Sequence, residues 1–437
     1  MVASPPSGAW RRSAAAASLI LALALGAAAL LLTAAAAAGP WTVLQPIPLP
    51  KADHTTVWQL VGNPLAPQSL VAATSDGVWR SDDDGHSWNA TSITGLTWSV
   101  AFSASGQALY AGTARSGIYR STDGGQNWKR ENTGLHSLDV RAITAGPTAV
   151  VLGTQKGVYV SGDGMAWQQA GLGTLSISSV AIVADTPLGV VAGSDQLNQS
   201  NNLFSNLAAG TSLGWQALAG GDPAGAPVFS VATGPVVVGG SVPPLLVGSL
   251  KGLYSSSDGG ATWQVQTLAG GAVWSVNAIA FDPDNPQVIY VGGDNGGSSG
   301  GGLERTTNGG SSWAVFKQGL PVTDVTGLEA LSTSPLTVLA AVWDPLSRQG
   351  ATARALDTSA PPPVPLRSVS GTPISVAVSP TPAPTATPGH HHRTVAKPIS
   401  IPAWAVLGAG LALILLLILA LTYLRRRRRR LDAEAPP

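Results

Sequence analysis

Carboxylates are the side chains of this chain that could catalyse the cleavage of a bond. Enzymes that hydrolyse glycosidic bonds place two carboxyl groups about 5 to 10 Å apart, one as an acid and one as a base or nucleophile. Eight carboxylates that stand outside the repeated turns described below could supply such a pair: Glu131, Glu304, Glu329, Asp76, Asp195, Asp294, Asp324 and Asp344. The sequence does not show which of them meet, so hydrolysis of a glycosidic bond stays an alternative.

Tyrosines and arginines could carry a second chemistry, because a tyrosine nucleophile with an acid partner and an arginine cluster is the set that sialidases use. The tyrosines between residues 41 and 358 all recur at equivalent places of a repeated unit: Tyr119, Tyr159 and Tyr254 at one place, Tyr110 and Tyr290 at another. Three arginines recur in the same way: Arg80, Arg120 and Arg305. Residues that repeat serve the repeated structure, so we disfavour sialidase chemistry.

The repeated unit is marked by a turn motif that occurs five times. Its first copy is SDDDGHSW at residues 81–88, and copies follow at intervals of roughly 40 to 50 residues, with one gap of double length. The shared positions are Ser81, Asp83, Gly85 and Trp88; Ser121, Asp123, Gly125 and Trp128; Ser161, Asp163 and Trp167; Ser256, Asp258, Gly260 and Trp263; Thr306, Asn308, Gly310 and Trp313. The third copy is one residue short.

The chemistry of the motif predicts a hairpin turn. Aspartate accepts hydrogen bonds from backbone N–H groups two residues on, and glycine reaches positive φ without steric cost. We expect the turn to join the third and fourth strands of a small sheet, with the tryptophan at the start of the fourth strand. In the fourth unit only Trp215 remains of the motif, and the seventh unit lacks it.

A period of this length, with β-branched and aromatic residues in the runs before each turn, indicates sheets that must stack on copies of themselves. Seven runs are candidate inner strands, beginning near Val57, Trp98, Asp139, Ser178, Val228, Val276 and Val325. The prediction is therefore an all-β fold, a seven-bladed β-propeller of four-stranded antiparallel blades.

The turn motif resembles the Asp-box, also called the bacterial neuraminidase repeat. The run AFDPDNPQVIYVGG at residues 280–293 is similar to strand pairs of sortilin-like propellers, of photosystem II assembly propellers and of xyloglucan-cleaving propeller glycosidases. The resemblance covers about residues 41–358. It implies that the motifs are structural corners on the end of the ring away from the ligand, and it does not specify a function.

The opposite end of the ring should carry the loops between strands two and three and the connections between blades. Loops on a rigid scaffold are where binding residues usually lie. Our ligand-face candidates are Trp98, Arg115, Lys156, Asp195, Lys251, Asp294 and Arg348. For Trp58, Trp98 and Trp274 we favour packing between blades over an aromatic platform. Glu304 replaces an aromatic residue of the repeat, and we expect it to face solvent.

Both ends of the chain predict membrane association. Residues 1–39 place Arg11 and Arg12 before a long apolar run, as in a secretory signal or an uncleaved signal anchor, which would be helical. Residues 401–424 carry no charge and would span about 36 Å as a transmembrane helix. The arginines of residues 425–437 should keep that tail cytoplasmic and place the propeller outside the cell. The protein then crosses the membrane once if the N-terminal apolar segment is cleaved off, or twice if that segment is retained.

The remaining divisions follow from composition. Residues 40–358 form the propeller, and residues 359–398 are rich in proline, serine and threonine, which favours an extended stalk. The histidines at 390–392 indicate a solvated tract, so we predict no metal site and no cofactor.

The net charge of the propeller makes one class of partner unfavourable. Between residues 40 and 357 there are 21 acidic against 13 basic residues, a net charge of −8, which disfavours nucleic acid. The chain has no cysteine, so no disulfide supports the domain. We expect a membrane-anchored binding or assembly module for an envelope protein or glycan, and a surface glycoside hydrolase is the alternative. The oligomeric state is left open.

Overall fold

The structure is a computed structural model that describes residues 39–49, 56–185, 188–197, 199–206, 214–218, 225–240, 242–269, 275–294, 301–320, 324–344 and 349–367. These residues form seven four-stranded antiparallel sheets. The predicted seven-bladed β-propeller is confirmed. The predicted terminal helices, the arginine tail and residues 368–398 of the predicted stalk lie outside the described residues.

Six blades are continuous in sequence, and each runs from its inner to its outer strand. Blade one holds β2 (Val57–Asn63), β3 (Ala66–Thr74), β4 (Gly77–Ser81) and β5 (Asn89–Ala90). Blade two holds β6 (Thr97–Phe102), β7 (Leu109–Thr113), β8 (Ile118–Ser121) and β9 (Lys129–Arg130). Blade three holds β10 (Val140–Ala145), β11 (Val150–Thr154), β12 (Gly157–Ser161) and β13 (Gln168–Gly171).

The next three blades repeat this order. Blade four holds β14 (Ile177–Asp185), β15 (Leu188–Ser194), β16 (Leu203–Asn206) and β17 (Gln216–Ala217). Blade five holds β18 (Val228–Thr233), β19 (Leu245–Ser249), β20 (Gly252–Ser256) and β21 (Gln264–Gln266). Blade six holds β22 (Ser275–Asp282), β23 (Asn285–Asp294), β24 (Leu303–Thr306) and β25 (Ala314–Val315).

Blade seven is completed by the other end of the chain. It holds β26 (Asp324–Leu331), β27 (Leu336–Asp344) and β28 (Gln349–Asp357), and its outer strand is β1 (Trp41–Val43). Trp41 pairs with Ala355, and its indole N–H donates to the Phe316 carbonyl at 2.6 Å. Blade seven therefore has no hairpin between its third and fourth strands, which explains why its sequence lacks the turn motif.

The turn motifs close the hairpins between third and fourth strands. In the first copy, Ser81 Oγ donates to Asp83 Oδ1 at 2.8 Å and accepts the Gly85 N–H at 2.8 Å. Hydrogen bonds, the largest from the Ser87 hydroxyl, lower the pKa of Asp83 to about 2. The other copies repeat the first bond, from Ser121 to Asp123, Ser161 to Asp163, Ser256 to Asp258 and Thr306 to Asn308. The predicted positive φ is present at the motif glycines. The predicted backbone bond two residues on occurs only in the third copy, where Asp163 accepts the Met165 N–H. In the other copies the bond comes from four residues on, as from Ser87 N–H to Asp83.

Some motif tryptophans donate a hydrogen bond to the preceding blade, whereas Trp128 donates to the Gly125 carbonyl of its own turn at 2.9 Å. Trp88 donates its indole N–H to the Gln45 carbonyl at 3.0 Å, and Trp167 donates to the Glu131 carbonyl at 2.8 Å. Trp215 makes the same bond to the Ala170 carbonyl at 2.7 Å. The tryptophan that blade four retains thus keeps the contact between blades that the motif tryptophans of blades one and three make.

Blades pack through apolar clusters, one at each junction between neighbours. Glycines near the ends of the second strands permit the close approach. A Cβ at Gly153 would lie 2.8 Å from Ile177 Cγ2, and one at Gly248 would lie 2.5 Å from the Val276 carbonyl oxygen. This contact explains why the sequence repeats a glycine or small residue before each ligand-face turn.

The first part of the predicted stalk lies against the ring. After Asp357 the chain crosses the end that bears the turn motifs, where Val364 N donates to the Asp284 carbonyl at 3.0 Å. Leu366 then pairs with Val237 of blade five in an antiparallel bridge. Residues 359–367 therefore pack on blades six and five, because Pro362 and Pro365 carbonyls accept hydrogen bonds from these blades.

Candidate ligand-binding site at the central axis

The end of the ring opposite the turn motifs is named the ligand face. It consists of the turns between second and third strands and the connections between blades. At its centre lies a cavity of about 320 Å³. Its lining consists of one inner-strand residue from each blade and one loop residue: Trp58, Trp98, Arg141, Ser178, Phe229, Asn277, Thr326 and Asp195.

Each of the seven inner-strand residues is the extra residue of a β-bulge. In blade one the pairing between β2 and β3 skips Trp58, because Val57 pairs with Thr74 and Gln59 pairs with Ala73. The same shift occurs at the equivalent residue of the six other blades. A bulge frees one residue from the ladder and re-aims its side chain. Seven bulges therefore direct seven side chains to the axis.

An ion pair fixes one side of the cavity. Arg141 donates to both carboxylate oxygens of Asp195, at 2.9 and 2.7 Å, and also to the Ser176 hydroxyl. Its guanidinium lies 5.6 Å from the ring centroid of Trp98. A two-point contact of this kind holds both groups in one geometry. Asp195 was a predicted ligand-face residue, and it reaches the axis through this pair.

Two tryptophans form a wall beside the ion pair. The ring centroids of Trp58 and Trp98 are 5.1 Å apart, with an angle of 58° between the planes. Trp98 Nε1 donates to Asp139 Oδ1 at 3.0 Å, which fixes the orientation of its ring. Burial raises the pKa of Asp139, and the charge of Asp195 adds to this effect, whereas Trp98 and Arg141 oppose it. Our preference for packing was wrong for both Trp58 and Trp98, because their half-buried rings line the cavity.

The remaining polar lining residues are also hydrogen-bonded. Ser178 Oγ donates to the Val228 carbonyl at 2.7 Å, and Thr326 Oγ1 donates to the Val57 carbonyl at 2.7 Å. Asn277 Nδ2 donates to Asp294 Oδ2 at 3.1 Å. The cavity is thus preformed, with its side chains held by the protein itself.

Aspartates collect on one sector of the ligand face. Asp294 ends the second strand of blade six, while Asp324 and Asp344 lie at the same end of blade seven, and Asp76 lies in the corresponding turn of blade one. Burial raises the pKa of Asp324, and the charges of Asp294 and Asp344 raise it further. Among the described residues, blades six, seven and one therefore present a group of carboxylates beside the cavity.

The other predicted ligand-face residues lie away from the axis. Arg115, Lys156 and Lys251 are exposed in turns of blades two, three and five and do not line the cavity. Arg348 and Trp274 fall outside the described residues. Sequence reasoning missed Arg141, Ser178, Phe229, Asn277 and Thr326 as lining residues. The available signal was their position directly after a β-branched residue at the start of each inner strand.

The structure also tests whether two carboxyls face each other across the cavity. Asp195 is the one carboxylate among its lining residues, and Arg141 neutralises it. Glu304 is only 3 % exposed and accepts the Ala269 N–H at 2.6 Å, so our expectation that it faces solvent was wrong. The carboxylate replaces an aromatic ring because it satisfies that backbone N–H inside the junction.

The described residues hold neither a metal-binding cluster nor a membrane-spanning helix. No group of three or more histidine, cysteine, aspartate or glutamate side chains within them is arranged to bind a metal ion. None of their helices has the length and apolarity needed to cross a bilayer. The histidines at 390–392 and the predicted span at 401–424 fall outside this part of the chain.

Comparison with solved structures places the fold among known propellers. YCF48 from Cyanidioschyzon merolae matches with a TM-score of 0.52 and 16 % identity, over 73 % of this chain and 99 % of that one. YCF48 bound to a D1 peptide matches with a TM-score of 0.52 and 16 % identity, over 73 % of this chain and 95 % of that one. At these identities the likeness establishes the fold alone.

An enzyme shares the same fold. The GH74 xyloglucanase from Xanthomonas campestris matches with a TM-score of 0.53 and 17 % identity, over 75 % of this chain. The match covers 55 % of the xyloglucanase, so this chain spans about half of that enzyme. No protein-family model matches the chain, and no curated protein matches it. The fold is thus compatible with a binding role and with glycoside hydrolysis.

Proposed function

We propose that the protein is a binding or assembly module whose ligand site is the axial cavity of the ligand face. The proposal includes the predicted context, in which residues 401–424 anchor the chain in the cell membrane and the propeller lies outside the cytoplasm. In this view the ligand belongs to an envelope protein or glycan, and the turn motifs are structural Asp-boxes that take no part in binding.

One observation carries the proposal. The seven bulge residues occupy the same position in every blade, yet they comprise six different residue types. Positions that serve the fold repeat their residue, as the serine or threonine and the glycine of the turn motifs do. A position that changes from blade to blade while converging on one cavity is not explained by the repeated structure. We infer that these residues are set by a ligand.

A protein ligand has support from comparison, because YCF48 binds a D1 peptide on the same fold. The lining supports binding over hydrolysis, since its single carboxylate is engaged by Arg141. A cavity that is partly aromatic, carries few charges and has its side chains held by hydrogen bonds is typical of ligand-binding sites. The role of Trp98 would be to contact the ligand, and that of Asp139 to hold Trp98 in place.

The alternative, a surface glycoside hydrolase, has one specific observation in its favour. Burial raises the pKa of Asp139 beside the cavity, and the charge of Asp195 raises it further, as required of a catalytic acid. Hydrolysis of xyloglucan oligosaccharides by the full-length protein, lost in Asp139→Asn and Asp195→Asn, would favour this reading. No product above the level of those two variants would exclude it for that substrate.

The binding proposal can be tested by site-specific photo-crosslinking in native membranes. A photoreactive residue at position 156 reports on the ligand face, and one at position 82 reports on the turn-motif end. We expect a crosslinked species from position 156 that Trp98→Ala removes, and none from position 82. Equal crosslinking at both positions, or crosslinking that Trp98→Ala leaves unchanged, would contradict the proposal.

A further inference from the structure

We propose that the axial cavity binds one apolar side chain of a peptide segment from a protein partner. Basic residues of the same segment lie over the aspartates of blades six, seven and one. This inference rests on the proposed function and specifies its ligand, because a glycan and a peptide make different demands on the same cavity.

The polar groups of the lining favour an apolar anchor. Arg141 is occupied by Asp195 and Ser176, and the Trp98 indole N–H by Asp139. The hydroxyls of Ser178 and Thr326 donate to backbone carbonyls. Apart from the Trp58 indole N–H, which is buried without a hydrogen-bond partner among the described residues, these donors are already used. A sugar ring would therefore bury several hydroxyls with few partners, and unpaired buried hydroxyls are unfavourable. An aromatic or aliphatic side chain makes no such demand.

The size of the cavity suits one anchor residue. Its volume of about 320 Å³ lies at the lower end of the range of about 300 to 1,000 Å³ for small-molecule sites. Trp58, Trp98 and Phe229 offer ring surface to an inserted side chain. The rest of the ligand must therefore lie on the loops around the opening.

Those loops expose leucines on one sector. Leu138 is 43 % exposed, Leu197 is 67 % exposed and Leu250 is 49 % exposed. Each lies near a lining residue. Leu138 precedes Asp139, the hydrogen-bond partner of Trp98, and Leu197 follows Asp195 by two positions. Leu250 N donates to the carbonyl of Pro227, which precedes Phe229 by two positions. Blades three to five thus extend the apolar contact beyond the cavity.

The aspartates on the other sector of the ligand face favour a positively charged ligand. Asp294, Asp324 and Asp344 lie on blades six and seven, and Asp76 lies on blade one. Among the residues that the structure describes, the basic ligand-face candidates Arg115, Lys156 and Lys251 lie on blades two, three and five. A peptide that crosses the ligand face from the leucines to the aspartates would bind more tightly if it carries an apolar anchor followed by lysine or arginine.

The test is selection of peptides on the full-length protein in lipid nanodiscs. Random 12-residue peptides displayed on phage are selected on the wild type and, in parallel, on Trp98→Ala. We expect the wild type to enrich peptides with one Phe, Trp, Leu or Met near a Lys or Arg. A synthetic copy of the leading peptide should bind at least about fivefold more weakly to the double variant Asp324→Asn, Asp344→Asn at low salt. Asp82→Asn, on the opposite end of the ring, is the control and should leave affinity unchanged.

Three outcomes separate the two proposals. Enrichment of acidic or uncharged peptides that still depend on Trp98 overturns the basic part of the inference and keeps the proposed function. Binding of xyloglucan oligosaccharides that depends on Trp98, with no enriched peptide, overturns the peptide ligand and keeps the axial site. Peptides that bind wild type and Trp98→Ala equally contradict both.

Discussion

Replacing Glu329 by glutamine should remove a pH dependence from the stability of the ring. Glu329 lies on β26 of the last blade, and its Oε2 accepts the Gly62 N–H of the first blade at 2.8 Å. Among the described residues it forms no ion pair. Burial raises the pKa of this carboxyl from its ordinary value of 4.5 to about 8, opposed only by the Gly62 hydrogen bond. The acid thus sits at the junction where the ring closes.

The size and sign of the effect follow from the two pKa values. The folded protein holds the Glu329 proton more tightly than the unfolded chain does, so stability from this group is complete below pH 4.5. It falls as the pH rises through 8 and is constant above that. Each pKa unit corresponds to 1.36 kcal/mol. The free energy of unfolding should therefore fall by about 3 to 5 kcal/mol between pH 4.5 and pH 9, after allowance for the partial exposure of Glu329.

The assay is urea denaturation of the full-length protein at pH 4.5, 7 and 9, followed by tryptophan fluorescence. Glu329→Gln keeps an oxygen for the Gly62 N–H, so it should match the wild type at pH 4.5 and exceed it at pH 9. Asp82→Asn removes a carboxylate whose side chain is 52 % exposed, and it should follow the wild type at every pH. A constant difference between wild type and Glu329→Gln across this range would refute the reasoning.

Three further predictions concern the ring. Gly153→Ala places a Cβ against the next inner strand and should lower the unfolding free energy by about 1 to 3 kcal/mol, as measured by urea denaturation; a neutral effect would mean that the blades can separate there. Asp357→Asn breaks the buried pair with Arg305, so limited proteolysis should cut residues 359–367 faster than in wild type, and an unchanged rate would show that other contacts hold this segment. Ser121→Ala removes the hydroxyl that donates to Asp123 and accepts the Gly125 N–H, which should lower the unfolding free energy by about 1 kcal/mol in a thermal melt; no change would mean that the carboxylate alone fixes the turn.

The fold was predictable because its determinants are local and repeated. Ser81, Asp83 and Gly85 are bonded within one turn, so their spacing in sequence reports the structure directly. The repeated glycines before the ligand-face turns, such as Gly153, also carry a signal, since only a missing Cβ admits the neighbouring strand. Seven candidate inner strands, together with five copies of the turn motif, were enough to predict seven blades.

The ring closure and the site depend on contacts that local patterns do not encode. Trp41 lies in a segment with no visible partner in sequence, and it becomes an outer strand only through Ala355. The burial of Glu304 follows from the Ala269 N–H of the neighbouring blade. The bulge residues differ between blades, so a search for repeated residues passes over them, although their shared position is visible once the inner strands are aligned.

The interlocked last blade has a consequence for how the protein is made. The pairing of Trp41 with Ala355 joins residues more than 300 positions apart, and contacts of long sequence separation form late. A chain synthesised from its N-terminus must keep β1 available, unpaired, until β28 has emerged. If residues 1–39 are the secretory signal that the sequence predicts, cleavage must fall before Trp41, because a cut beyond it would remove the outer strand that completes blade seven.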